Sequence, residues 1–233
     1  MKLKNGDTIV FAGDSTTDAG KLSTPDGLGS GYVKLVRDAL FAFRPHENFR
    51  VVNAGISGNT SADLLARWDR DVAAFLPEVI FCMIGINDVW RRFDCFDPQY
   101  VPITEEEYEK NIRALCEKAK SARCFCLMTP FYMERSRADE MRAMTERYTA
   151  ALYRAAKACG AHVLDLQKEF DEYMQARPGQ SISWDRVHPG AVGSMLIARA
   201  IWREFEMCYA ALYKKDGFAE PSFCYVSELF FCL

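Results

Sequence analysis

Short apolar runs alternate along the chain with longer segments in which apolar residues recur every three or four positions. The apolar runs are bounded by glycine or polar residues, as expected of strands that are buried on both faces of a sheet. The longer segments have the periodicity of helices that pack one face against such a sheet. The predicted strands lie at 8–12, 49–52, 79–84, 123–128 and 162–166, and the predicted helices at 32–43, from 60 to Pro77, at 104–121, 137–159 and 191–213.

Five strands separated by helices predict a parallel sheet covered on both faces, which is a three-layer α/β/α sandwich. A length of 233 residues fits one such domain, which we place at residues 1–213. Residues 214–233 are expected to form a C-terminal extension, because they include Pro221 and end in the apolar run 229–233. Such an apolar end has to be buried, either on its own domain or on another subunit.

The charge balance and the run lengths exclude several classes of partner. Lys and Arg number 29 against 32 Asp and Glu, which gives a net charge of −3. This balance argues against a nucleic-acid-binding face, which needs a concentration of basic residues. The longest apolar run, 79–86, is far shorter than the roughly 18 residues that span a membrane. No apolar signal-peptide core follows the N-terminus. We therefore expect neither nucleic acid nor a membrane as a partner.

The nine cysteines favour a reducing compartment. Nine is an odd number, so a disulfide framework cannot include them all. Most lie in apolar segments, where a free thiol packs as a small hydrophobic group. No C-x-x-C pair occurs, which disfavours a zinc ribbon or a thioredoxin-type site. These features predict reduced thiols, a cytoplasmic location, and neither a metal nor another cofactor.

Residues with catalytic potential follow the predicted strands. In an open parallel sheet, ligands bind beyond the carboxyl ends of the strands. Ser15 follows the first strand, the glycine-rich loop 53–60 follows the second, and Asn87 follows the third. A serine can act as a nucleophile, and a glycine-rich loop leaves backbone N–H groups free to receive an anion. Each feature alone is common in turns, and only their shared position at one edge of the sheet indicates a catalytic site.

A serine nucleophile needs a base, and the chain has three histidines. His46 lies in a polar turn and His162 opens the fifth strand, which places both at the opposite edge of the sheet. His188 lies in a loop that can return to the carboxyl edge, and Asp185 precedes it by one turn. An aspartate in that position fixes the imidazole tautomer and stabilises the imidazolium. The sequence therefore indicates a triad of Ser15, His188 and Asp185.

The motifs resemble the four signature blocks of the SGNH (GDSL-type) hydrolases. The resemblance spans residues 8 to about 205 and rests on 13–15, 55–60, 85–88 and 185–189. It implies a flavodoxin-like α/β/α fold, with Ser15 as the nucleophile, His188 as general base and then acid, and Asp185 as its orienting group. It also implies an oxyanion hole made by the backbone N–H groups of Ser15 and Gly58 and the Asn87 side chain.

Further stretches are similar to one branch, the bacterial acetyl-xylooligosaccharide esterases. They lie at 31–33, 84–91, 128–132 and 184–189. The similarity implies removal of O-acetyl groups from xylose units by an intracellular homo-oligomer. Thr16, where an aliphatic residue is usual, and the extended tail depart from the branch, and the tail leaves the subunit arrangement open.

Four residues in or beside these motifs are expected to contact substrate: Asp14, Tyr32, Trp90 and Trp184. The indoles of Trp90 and Trp184 could stack on a sugar ring, although a buried packing role agrees equally well with the sequence.

The sequence predicts a serine esterase that removes short acyl groups, above all acetyl, from xylo-oligosaccharides or related sugars. A lipase, lysophospholipase or thioesterase with the same machinery is an alternative, which the lack of a long apolar lid segment disfavours. A non-catalytic module that binds phosphate or flavin on Ser15, Thr16 and Thr17 is weaker, because it leaves Asn87 and His188 unexplained. The chain has no G-x-S-x-G elbow, which disfavours the α/β-hydrolase fold.

Overall fold

The predicted sheet is the centre of the molecule. The computed structural model describes residues 2–95, 97 and 99–204. Within them, five parallel strands follow the order β2-β1-β3-β4-β5, which is that of flavodoxin-like folds and confirms the prediction. The strands are β1 (Thr8–Gly13), β2 (Arg50–Gly55), β3 (Val79–Met83), β4 (Cys124–Met128) and β5 (His162–Leu164).

Helices cover both faces of the sheet and form two hydrophobic cores. One core contains α2, α7 and α8, and the other contains α3, α4, α5 and α6. The helices are α1 (Ser15–Asp18), α2 (Tyr32–Phe43), α3 (Ser61–Asp71), α4 (Ile86–Asp94), α5 (Glu105–Lys118), α6 (Glu140–Cys159), α7 (Leu166–Ala176) and α8 (Ala191–Glu204).

The two cores explain why the strands are continuous apolar runs in the sequence. Successive side chains of a strand point to opposite faces. In β1, Ile9 and Phe11 therefore belong to the core of α2 and α8, and Val10 and Ala12 to the core of α3 and α5. Both faces are covered, so every one of these positions has to be apolar.

The strand order places a crevice between β1 and β3. The chain leaves β1 towards α2 on one face, and it leaves β3 towards α5 on the other. Connections that diverge in this way open a crevice at the carboxyl edge, where open α/β sheets bind ligands. Ser15 lies just after β1. Asn87 is the second residue of α4, which follows β3, so both residues lie at this crevice.

Three helices lie in segments whose apolar pattern does not predict them. Two of them, α1 and α4, directly follow β1 and β3 and contain residues of the candidate site. The third, α7, begins at Leu166, where the pattern predicts the end of the fifth strand. Asp165 accepts a hydrogen bond from the Lys168 N–H at 3.0 Å, and this N-cap ends the strand and starts the helix.

The end of the chain extends past the described part. The helix predicted at 191–213 is described as α8 up to Glu204. Its remainder and the predicted extension 214–233 lie outside the described residues. In the part that is described, no helix is both long and apolar enough to cross a membrane.

Candidate active site

Three side chains form a continuous hydrogen-bonded chain at the β1–β3 crevice. Ser15 Oγ lies 2.8 Å from His188 Nε2, and His188 Nδ1 lies 2.6 Å from Asp185 Oδ2. Asp185 is nearly buried, and the His188 side chain is about one-third exposed. A hydroxyl, an imidazole and a carboxylate in this order and at these distances can activate the hydroxyl as a nucleophile.

The loop that carries His188 is folded around the Asp185 carboxylate. Asp185 Oδ1 accepts hydrogen bonds from the N–H groups of Val187 and His188 at 2.9 and 2.8 Å and from the Ser183 hydroxyl at 3.0 Å. Burial alone would raise the pKa of Asp185, but the hydrogen bonds from His188 and Val187 outweigh it and hold the pKa below its ordinary value. Asp185 is therefore a carboxylate at neutral pH and can stabilise an imidazolium.

Arg186 fixes the path of the chain between Asp185 and His188. Its φ of +65° lies in the left-handed region, which is unfavourable for a residue with a Cβ. The Arg186 carbonyl accepts a hydrogen bond from Met133 N at 2.8 Å, and its guanidinium pairs with Glu134 at 2.7 Å and lies over the Tyr132 ring. These contacts compensate for the unfavourable backbone and fasten the loop to the segment that follows β4.

Ser15 is the first residue of α1, and Asp14 caps this short helix. Asp14 Oδ1 accepts a hydrogen bond from Thr16 N at 3.0 Å. Asp14 is 1% exposed, and burial raises its pKa to about 7. The cap fixes the turn between β1 and α1, so the Ser15 side chain is directed to His188.

The loop after β2 forms a tight turn that contains Gly58. Asn59 N donates to Ile56 O at 3.2 Å, which closes a turn with Ser57 and Gly58 at its centre. Gly58 has a φ of +83°, as a type II turn requires at this position. Among the described residues, the Gly58 N–H has no hydrogen-bond acceptor. Asp18 holds the other side of the turn, because its carboxylate accepts from both Ser57 N and Ser57 Oγ.

Asn87 supplies a side-chain amide from the second residue of α4. Its Nδ2 donates one hydrogen bond to Asn59 O at 2.9 Å, which fixes the amide plane and leaves its second N–H for another acceptor. The next residue, Asp88, is fully buried and accepts hydrogen bonds from Ser61 N and Ser61 Oγ at the start of α3. The loops after β2 and β3 are thus joined directly.

Comparison with known proteins gives the family. Residues 11–196 match the GDSL-like Lipase/Acylhydrolase family. The chain belongs to this family.

Relatives of this GDSL family member include characterised proteins and solved structures. An acetylxylan esterase from Geobacillus stearothermophilus is 40% identical over 211 residues, which cover 88% of this chain and 96% of the relative. The crystal structure of Axe2, an acetylxylan esterase from the same organism, matches with a TM-score of 0.83 at 40% identity, covering 88% of this chain and 96% of that one.

A further structure is that of LAE5, an alpha/beta hydrolase enzyme from the metagenome of Lake Arreo, Spain. It matches with a TM-score of 0.82 at 39% identity and covers 88% of this chain and 97% of its own. Solved structures of Axe2 also include alanine variants of a serine, a histidine and an aspartate, each described as a catalytic mutant.

Two of the four predicted substrate contacts are buried in this GDSL family member, so those predictions need correction. Tyr32 is fully buried in the core, and its hydroxyl lies 2.9 Å from Thr17 Oγ1. Tyr32 therefore connects α2 to α1, and its side chain is not accessible to a ligand. Asp14 is equally inaccessible, and its role is the helix cap described above.

The two predicted tryptophans differ in their surroundings. Trp90 is partly buried and contacts His188 edge-on, with the ring centroids 5.4 Å apart. It therefore borders the site directly. Trp184 immediately precedes Asp185 and is 86% exposed, so its indole is available to another molecule.

The other histidines lie where the sequence predicts. His46 is exposed in the segment between α2 and β2, and His162 begins β5 and contacts Glu204 at 2.7 Å. Both lie at the edge of the sheet opposite to Ser15. Thr16 and Thr17, two of the three residues of the alternative phosphate or flavin site, are buried. Among the described residues, no cluster of three His, Cys, Asp or Glu could hold a metal ion.

Two residues that hold the site together, Arg186 and Asp88, have no role that the sequence predicts. Both contact the predicted residues or their loops, but their residue types are ordinary for loops and helix ends. A partial signal was present for Asp88, because a buried carboxylate directly after Asn87 has to find donors, and Ser61 at a helix start offers two.

Proposed function

We propose that this protein is a serine esterase that hydrolyses acetyl esters of xylo-oligosaccharides or related sugars. The observation that carries the proposal is the hydrogen-bonded chain of Ser15, His188 and Asp185. Support for the acetyl sugar comes from the 40% identity to an acetylxylan esterase over almost the whole relative.

The first half of the reaction acylates Ser15. The Ser15 oxygen attacks the acetyl carbonyl carbon while His188 Nε2 takes the hydroxyl proton. The resulting imidazolium is stabilised by Asp185, which also keeps the Nδ1 proton in place. The tetrahedral intermediate then breaks its bond to the sugar oxygen, and His188 gives its proton to that oxygen. The sugar leaves with a free hydroxyl, and the acetyl group remains on Ser15.

The second half releases acetate. A water molecule attacks the acetyl-enzyme, His188 accepts its proton, and the Ser15–acetyl bond breaks as that proton returns to the serine oxygen. In both halves the negative charge on the carbonyl oxygen is received by the N–H groups of Ser15 and Gly58 and by the Asn87 amide. Each such donor is worth about 3 kcal/mol to the transition state.

We also propose a cytoplasmic location and a homo-oligomeric state. The six described cysteines are all free thiols, which supports a reducing compartment such as the cytoplasm. A homo-oligomer is supported by large apolar side chains exposed on the described surface, such as Leu22 and Leu76.

Acyl-chain length separates an acetyl esterase from a lipase or a long-chain thioesterase. We expect kcat/KM for p-nitrophenyl acetate to exceed that for the octanoate by at least about tenfold, because a pocket shaped for a methyl group rejects added methylenes. Steady-state hydrolysis of both esters, with acetylated xylo-oligosaccharides assayed for acetate release, tests this directly. A preference for octanoate, or no acetate release from the sugars, would contradict the proposal.

Trp184 is proposed to bind the sugar by stacking on its ring. Trp184→Ala should lower kcat/KM for acetylated xylo-oligosaccharides about threefold to tenfold, because the sugar loses an aromatic surface. Hydrolysis of p-nitrophenyl acetate, which has no sugar, serves as the matched control and should be unaffected. Light scattering after size exclusion should show an unchanged mass. An equal loss on both substrates, or a change of mass without a sugar-selective loss, would contradict stacking.

A further inference from the structure

A buried guanidinium lies beneath the proposed oxyanion hole. Arg67 is on the buried face of α3 together with Leu64 and Trp68, and it is 8% exposed. An arginine is rarely placed on such a face, because its charge has to be satisfied by well-placed acceptors. The acceptors of its hydrogen bonds therefore indicate the role of Arg67.

The guanidinium joins the ends of two strands to the loop of Gly58. Its Nη2 donates to Gly13 O at 2.9 Å, and its Nη1 donates to Ala54 O at 2.9 Å. Gly13 ends β1 just before the nucleophile segment, and Ala54 is the penultimate residue of β2. The third donor, Nε, reaches Asn59 Oδ1 at 2.5 Å.

Asn59 connects Arg67 to Asn87 through two hydrogen bonds. Its side-chain oxygen accepts from Arg67, and its backbone oxygen accepts from Asn87 Nδ2. Asn59 also closes the turn that gives Gly58 its positive φ. One side chain therefore determines the position of both oxyanion donors that lie outside the nucleophile segment.

We propose that Arg67 is a positioning residue that holds the Gly58 N–H and the Asn87 amide in place for acyl transfer; this inference rests on the function proposed above. Its planar fork provides donors in three directions at once, which a lysine ammonium on a flexible stem cannot reproduce. It acts through Gly13, Ala54 and Asn59 and does not contact the reacting atoms.

The test compares Arg67→Lys with Arg70→Gln in the whole protein. Arg67→Lys should lower kcat for p-nitrophenyl acetate by about 10- to 100-fold, because small displacements of catalytic groups are that costly. KM should stay within about twofold, since donors made for the transition state contribute little to ground-state binding. Arg70 is the control: it pairs with Asp71, as Arg67 does, but its side chain is 76% exposed, and Arg70→Gln should keep the wild-type kcat.

A double-mutant cycle with Asn87→Ala distinguishes positioning from a general loss of stability. If Arg67 acts through the oxyanion hole, Arg67→Lys should cost a smaller factor in kcat when the Asn87 amide is already absent. Thermal unfolding of each variant sets an assay temperature at which all of them are folded. The inference would be overturned if Arg67→Lys lowered kcat by the same factor in the wild type and in Asn87→Ala. It would also be overturned if the kcat of Arg67→Lys were close to that of Arg70→Gln. If the wild type hydrolysed no acetyl ester, the proposed function would fail and the inference with it.

Discussion

Replacement of Ser15 by alanine is expected to lower kcat for acetyl esters by about five to six orders of magnitude. Without the hydroxyl, no acyl-enzyme can form, and the remaining oxyanion donors can assist only direct attack by water. The fold should be preserved, because the Ser15 side chain is bonded to His188 and not to the core. Steady-state hydrolysis of p-nitrophenyl acetate, with circular dichroism as a check on folding, measures the effect.

Ser30→Ala is the matched control for this substitution. Ser30 is also a serine in the first loop, but it is exposed and its hydroxyl donates a long hydrogen bond of 3.3 Å to Ala19 O. It should retain wild-type activity, and a serine-reactive fluorophosphonate should label the wild type and Ser30→Ala but not Ser15→Ala. Near wild-type turnover by Ser15→Ala would exclude Ser15 as the nucleophile.

Asp185→Asn is expected to lower kcat by about 10⁴-fold. The asparagine oxygen can keep the hydrogen bonds from Val187 N and His188 N, so the loop should stay folded. Its NH₂ group would face His188 Nδ1 and donate to it, which forces the imidazole proton onto Nε2. In that tautomer His188 cannot accept the proton of Ser15. The loss should appear in kcat, while KM changes little.

The control for this substitution is Asp38→Asn, an exposed aspartate of α2 that pairs with Lys34. Its activity should equal that of the wild type, because a solvated surface ion pair contributes little. A kcat for Asp185→Asn within about tenfold of the wild type would show that the carboxylate does not orient His188.

The sequence predicts the sheet and the triad because both follow from simple constraints. Strands buried on both faces have to be apolar throughout, so β1, β3 and β4 are visible as apolar runs. A base for Ser15 has to be near the carboxyl edge, and of three histidines the position in the chain allows only His188. These inferences need strand order and residue type but no side-chain detail.

The buried polar contacts could not be predicted, because they depend on the final geometry. Tyr32 belongs to a stretch that resembles an esterase motif, yet the helix pattern it opens buries the ring completely. In the sequence Arg67 looks like Arg70, the other arginine of α3, and its contacts with Gly13 and Ala54 exist only once β1 and β2 are paired. Local sequence gives residue types, but tertiary packing decides which polar group is enclosed.

The most direct test of Ser15 as the acetylated nucleophile is mass spectrometry of the enzyme quenched during turnover of an acetylated xylo-oligosaccharide. A transient gain of one acetyl group is expected on the peptide that contains Ser15, and this gain should be absent in Ser15→Ala and decay as acetate appears. Acetate release by the wild type with no acetyl group on Ser15, or with the acetyl group on another residue, would contradict it.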